Sequence, residues 1–207
     1  MTSFAYENKD FGFEAIGKDA KISNKASFYN TEVIRIGSNV RIDDFCILSG
    51  KITIGDNVHI SAYTSLFAGD AGIFIGDYCT ISSRCAIYAI SDDYGGDFAT
   101  NPCIPIEYRN VIKNPVIIEK YSIIGSGCTV LPGVVIGEGA AIGSMSLVRD
   151  SISEWGVYAG IPCKRIKDRK RGLLKMIEKI ENGGVRDDRY NASAYLSPLF
   201  ELCEVAA

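Results

Sequence analysis

An aliphatic residue returns at every sixth position over most of this chain, and few folds can use that period. Ile36, Ile42, Leu48, Ile54, Ile60 and Leu66 set the beat. It resumes at Ile75, Ile81 and Ile87, then at Ile118, Ile124, Val130, Ile136, Ile142 and Val148, with Ile16, Ile22 and Phe28 as an earlier trio. An amphipathic helix repeats at about 3.6 residues and a half-buried strand at about 2, so neither accounts for it. Four residues after each aliphatic position stands a small or β-branched one: Val40, Cys46, Ile52, Val58, Thr64, Cys79, Cys85, Ser122, Cys128, Val134, Ala140 and Ser146. Two inward positions in six define one short strand and one corner. Glycine often follows the aliphatic residue, as in IGSNV, IGDNV and IGEGA, where the chain turns and a side chain would be crowded. The pattern predicts an all-β fold, a parallel β-helix whose coils have three flat faces of one hexapeptide each. Three hexads per coil give about six coils at roughly 4.8 Å spacing, a prism about 30 Å long.

Breaks in the beat mark what lies outside the prism. It slips by three residues at Ala68 to Ile73, a small outward bulge, and stops for an extended loop at 90–115 that contains SDDYGGD and NPCIPIEYRN. A loop this long in so regular a fold is functional or disordered, and its Tyr94, Phe98, Ile104, Ile106 and Tyr108 argue against disorder. After the last coil, Leu173, Leu174, Ile177 and Ile180 form one face of a short C-terminal α-helix ending at Gly183 and Gly184. The expected organisation is a β-helix domain over 1–167, loop included, followed by a helix and tail over 168–207. The tail from Val185 carries no signal of its own.

The charge balance, 22 Lys and Arg against 25 Asp and Glu, gives no basic field for a nucleic acid. No apolar run reaches membrane-spanning length and the N-terminus lacks the order of a signal peptide, so the expectation is a cytoplasmic protein with no membrane partner. Seven cysteines form no CxxC pair. Cys46, Cys79, Cys85 and Cys128 fall on the small inward position, where a reduced thiol acts as a compact hydrophobe.

The repeat resembles the left-handed β-helix of the hexapeptide-repeat acyltransferases over about residues 15 to 167, and the left hand comes from that resemblance alone. The stretch from Pro115 to Lys167, with LPGVVIGEGAAIG and AGIPCKRI, is similar to the end of galactoside, maltose and polysaccharide-antigen acetyltransferases. The resemblance implies acetyl-CoA as co-substrate, no metal, and a cleft between subunits of a homotrimer. Carried over by motif, Ser126 in IGSG, after Gly125, presents the backbone N–H that meets the thioester carbonyl oxygen. Gly143, Ser144 and Arg149 in IGSMSLVRD match positions along the pantetheine arm. Gly160, Pro162, Lys164 and Lys167 in AGIPCKRIK match positions near the nucleotide end of CoA, where cations suit phosphates.

Departures from the family pattern redirect the chemistry. Ile123 stands where members often carry Trp, and Met145 where a small residue is usual. The family's catalytic histidine sits in a motif such as IYTSNH, and here the matching residues are IYAISD, which puts Asp92 at its place. The chain's one histidine, His59, precedes an inward Ile and should point outward. A lone histidine excludes a three-histidine zinc site within one chain. A hydroxyl acceptor needs a base with pKa near 7, and a carboxylate near 4 is about three units too weak unless something raises it. A neutral amine attacks a thioester unaided and needs only orientation and a proton acceptor. The exchange therefore favours N-acetylation of an amino sugar, with Asp92 orienting the amine and taking its proton.

Asp93 could raise the pKa of Asp92 by repulsion or contact a sugar hydroxyl, and Tyr94 could stack on a base or sugar; both aspartates could instead satisfy loop N–H groups. The overall size and the KRIKDRKRGLLKMIEK stretch resemble the acetyltransferases of nucleotide-linked amino sugars, such as dTDP-4-amino-4,6-dideoxyglucose, that serve surface-polysaccharide synthesis. The alternatives are O-acetylation of a saccharide hydroxyl, with His59 or a perturbed Asp92 as base, and a non-catalytic β-helix scaffold.

Overall fold

The computed structural model describes residues 11–183, and the expected parallel β-helix forms within them. On the second face seven short strands stack in register, from Ile22 through Ile42, Ile60, Ile81, Ile124 and Ile142 to Tyr158. The third face stacks Phe28, Leu48, Leu66, Ile87, Val130 and Val148. The first stacks Ile16, Ile36, Ile54, Ile75, Ile118 and Ile136. The residues that set the six-residue beat are thus those that lie over one another. Ile42, Leu48, Ile60, Leu66, Ile87 and Ile124 are fully buried, each contributing about 1.5–3 kcal/mol relative to exposure. Ile16 departs from the pattern at 54% exposed, because it lies on the first rung and has a neighbouring coil on one side only. The open end there is covered instead by Phe11, Phe13 and Phe28, whose rings meet at 5.0–5.4 Å.

Glycine's two places in the hexad answer different needs. After the aliphatic residue the constraint is crowding: a Cβ would lie 2.4 Å from Ser38 N at Gly17, 2.5 Å from Glu154 N at Gly137 and 2.6 Å from Ser144 N at Gly125. Left-handed backbone falls two residues later, at Asn39, Asn57, Tyr78, Gly127, Gly133 and Gly139. The small inward residues are more than space-fillers. Cys46, Cys79, Cys85 and Cys128 each place Sγ 3.1 Å from a backbone carbonyl of the next coil, on Ser61, Glu119, Gly125 and Gly143 respectively. Thr64 and Ser122 donate in the same way to Ser82 and Gly137. These cysteines are buried in the apolar core as expected, and they are also hydrogen-bond donors to carbonyls that turn into it. All described cysteines are free thiols.

Three flat faces hold for most coils, but Ile47–Ile54 and Ser65–Ile75 run unbroken through the corner between the third and first faces. The three-residue slip expected as an outward bulge is absorbed inside the second of these strands, with Gly69 opposite Gly50 at the register shift. The long loop leaves the third face after Tyr88. Its base is an antiparallel pair, Ile90–Ser91 with Ile112–Lys113, anchored by Lys113 to Asp70 at 2.8 Å. The helical beat resumes at Val116–Ile118 against Ile73–Ile75. At the far end Gly156–Gly160 folds back on Cys163–Asp168 as an antiparallel hairpin, whose turn holds a cis bond between Ile161 and Pro162. Contacts divide the chain after Arg169. Beyond it an α-helix, Gly172–Glu181, partly covers Leu173, Leu174 and Ile177 and exposes Lys175, Glu178 and Lys179. The expected tail over 185–207 lies outside the described residues.

Candidate active site

The corner between the second and third faces collects the residues assigned to the thioester. Gly125 donates to Ile142 O at 2.8 Å and Met145 N–H to Ser126 O at 2.8 Å, so Gly125–Ser126 and Gly143–Ser144 lie one above the other in successive coils. A trans peptide points its C=O and N–H in opposite directions. With Gly125 O turned inward to Cys85, the Ser126 N–H faces outward, and it has no acceptor among the described residues. Ser83, one coil earlier at the same corner, brings its Oγ 3.4 Å from Ser126 Oγ. Sequence reasoning passed over Ser83, because ISSRC looks like any other hexad; only the stacking identifies it. Nearby on the lower coils, exposed Arg84 has no carboxylate partner among the described residues, and Phe45 and Tyr63 stack at 5.0 Å. That set can take a phosphate and a planar ring.

Lys164 and Lys167 lie exposed on the terminal hairpin, opposite Ala159 and Val157, and neither has a carboxylate partner among the described residues. Gly160, with φ +106°, and Pro162 form its turn, and Gly160 N–H donates to Ser146 Oγ at 3.0 Å. Arg149 does not join this group. It follows Val148, at the other end of the third face from Ser144, and pairs with Asp150 at 3.1 Å.

Asp92 stands at the base of the long loop. Its carboxylate accepts the Asn101 N–H at 3.1 Å and an Arg109 guanidinium N–H at 3.2 Å. These two partners hold its pKa below the usual carboxylate value. The expectation that Asp93 would raise it is not met, because Asp93 is occupied elsewhere: its two oxygens accept the N–H groups of Gly95 and Phe98. Tyr94 is 92% exposed and stacks on no ring among the described residues. Arg109, the sequence's silent member of this site, is folded onto Asp92 with its own Nε buried and without a hydrogen-bond partner among the described residues.

His59 points outward as expected, from the second face. Its Nε2 lies 2.8 Å from Asp43 and 3.4 Å from Ser61 Oγ, and Arg41 holds the other Asp43 oxygen at 2.6 Å. Burial would raise the Asp43 pKa, but hydrogen bonds and charge from His59 and Arg41 outweigh it and hold the carboxyl low. The ladder His59, Thr80, Ile123 places His59 two coils from the level of Ser126, about 10 Å along the prism. Ser126 and Asp92 are not brought together within one chain either. They sit at opposite ends of the third face, with Ala86–Ser91, about 17 Å of extended strand, between those corners. No group of three metal-binding side chains occurs among the described residues, and no described helix is long and apolar enough to cross a membrane.

Comparison with known proteins agrees with the fold. The model of bacterial transferase hexapeptide repeats matches residues 34–68 and 109–150. A dTDP-4-amino-4,6-dideoxy-D-glucose acyltransferase of Escherichia coli is 43% identical over 183 residues, 87% of this chain and 95% of that protein. AntD, an N-acyltransferase from Bacillus cereus crystallised with dTDP and 3-hydroxybutyryl-CoA, superposes with a TM-score of 0.81 at 49% identity, covering 83% of this chain and 91% of AntD. A variant of AntD holding dTDP-4-amino-4,6-dideoxyglucose and coenzyme A gives 0.82 at 48% identity, over 84% and 92%. The chain belongs to the hexapeptide-repeat transferases, and among them it is a CoA-dependent acyltransferase rather than a non-catalytic scaffold.

Proposed function

We propose that the protein transfers the acyl group of acyl-CoA, acetyl in the first instance, to the amine of a nucleotide-linked amino sugar such as dTDP-4-amino-4,6-dideoxyglucose. The observation that carries this reading is the state of Asp92. A carboxylate held low by Asn101 N–H and Arg109 stays ionised at neutral pH and is a poor base for a hydroxyl, yet it attracts an ammonium and orients the amine derived from it. The amine lone pair attacks the thioester carbon, and the oxyanion that forms is taken by the Ser126 N–H. Collapse forms the amide and expels the CoA thiolate, and the proton leaving nitrogen passes to Asp92 on its way to thiolate or water. The rival, O-acetylation with His59 as base, is less well served, because its Nε2 is engaged by Asp43 and lies two coils from Ser126.

The same geometry supports a homotrimer. A site that needs Ser126 and Asp92 can be assembled only if the loop of one copy reaches the corner between the second and third faces of another, and a three-fold ring gives each copy both roles. Acyl-CoA, a nucleotide sugar and reduced thiols fit a cytoplasmic location and a place in surface-polysaccharide synthesis. The test is free thiol release from acetyl-CoA and 3-hydroxybutyryl-CoA, with dTDP-linked 4-amino sugars beside their hydroxyl counterparts. Turnover confined to amines is expected; turnover of hydroxyls alone would return the base to His59.

A further inference from the structure

The buried donors described above bear on catalysis at one position. We infer that Cys85 is a positioning residue, whose thiol fixes the peptide plane that presents the Ser126 N–H to the reacting carbonyl oxygen. The inference rests on the reading of Ser126 as the oxyanion donor and goes beyond it to an inward residue that touches no substrate. Cys85 Sγ lies 3.1 Å from Gly125 O, and that carbonyl belongs to the peptide unit whose other end is the Ser126 N–H. Rotation of the unit about the chain would swing both groups together, so a bond that anchors the oxygen inward also aims the hydrogen outward.

The molecule contains the same device in an occupied form. At the corner between the first and second faces Ser122 Oγ donates to Gly137 O at 3.1 Å, and the outward N–H of the following residue, Glu138, is bound by Glu119 Oε2 at 2.8 Å. Also at that corner, Ser38 N–H and Asp56 N–H are taken by Asp56 and Asp77 carboxylates at 2.6 and 2.7 Å. Outward N–H groups at this place in the hexad therefore bind anionic oxygen wherever the chain supplies it. At the corner between the second and third faces the carboxylate of Asp44 serves Ser23 and Lys25 on the lower coils, and at the level of Ser126 the described residues supply none, so the Ser126 N–H is left for a ligand. Cys85 is 1% exposed, and Cys128 beside it, together with burial, pushes its pKa up. The thiol keeps its proton at neutral pH and remains a donor. A hydrogen bond to Gly125 O also polarises the amide, which strengthens the N–H opposite.

Cysteine variants separate this role from packing, with Cys79 as the control. Cys79 is equally buried and anchors Glu119 O at 3.1 Å, at the corner away from Ser126. With the best acceptor from the amine panel, Cys85→Ala should lower kcat about tenfold while the KM for acetyl-CoA stays within about twofold, since a mis-aimed donor costs transition-state binding. Cys85→Ser, which keeps a donor, should return kcat to within about threefold of the parent. Cys79→Ala should lose a similar amount of thermal stability with kcat unchanged.

Ser126→Pro tests the underlying reading separately. Pro132 occupies the matching place two residues after Val130, so the hexad accepts proline there; the substitution removes the N–H together with the Oγ that lies 3.4 Å from Ser83 Oγ, so its kcat is read against Ser126→Ala, which removes the hydroxyl alone. Loss of kcat in Ser126→Pro, with Cys85→Ala no worse than Cys79→Ala or Cys85→Ser no better than Cys85→Ala, would overturn the Cys85 role and leave the donor reading intact. Full activity in Ser126→Pro, or no turnover of any amine by the parent protein, would overturn both.

Discussion

Asp92 and Asp93 are neighbours in sequence with separate environments. Both accept loop N–H groups, but only Asp92 also holds a guanidinium, which keeps its carboxylate ionised. A lowered folded pKa stabilises the loop above the unfolded value of about 3.9, and that contribution is lost as pH falls through the folded value. Between pH 5 and 9 the loop should therefore not titrate at Asp92. The acid limb of kcat/KM should follow the acceptor amine, and the limb should move when acceptors of different amine pKa are compared. Replacing Asp92 by Asn should reduce kcat/KM on an amine about 10- to 100-fold without moving that limb; abolition of all activity would mark Asp92 as an essential base. Arg109→Met should let the Asp92 pKa rise toward the ordinary carboxylate value, which carboxyl NMR titration would follow. The sequence pointed to Asp92 through one motif position, but Arg109 is 17 residues away and invisible until the loop closes.

At the scale of the hexad, the inward aliphatic residues and the crowded glycines were legible because both follow from one repeat. The donor role of the small inward residue was not, since cysteine, serine, threonine and valine all satisfy the same volume requirement. Gly125→Ala would set a Cβ 2.6 Å from Ser144 N and 2.8 Å from Ile142 O. It should cost about 1–3 kcal/mol, read as a fall of several degrees in Tm. Gly172→Ala, at the start of the C-terminal helix with nothing within 4 Å, should leave Tm unchanged or raise it slightly. The merged strands Ile47–Ile54 and Ser65–Ile75 were also beyond the pattern, because Gly50 and Gly69, both with left-handed backbone, let the two strands shift register at the corner and pair again beyond it.

For the whole molecule, the separation of Ser126 from Asp92 has a direct consequence. A homotrimer should show in light scattering at three times 22.5 kDa, and a monomeric mass would remove the shared site. Mixing Ser126→Pro subunits with Asp92→Ala subunits should recover about a quarter of parental activity after random reassembly, since one pairing in four joins two intact halves. No recovery would mean that each site draws both groups from the same chain. By itself the sequence determined the coil, its period and the outward His59, because each depends on the order of side chains along one strand. Tertiary structure alone decided which carbonyl each thiol holds, which N–H groups stay open, what ionises Asp92 and which corners must meet. Those are contacts between residues from different coils and loops, and only the folded chain brings them within hydrogen-bonding reach.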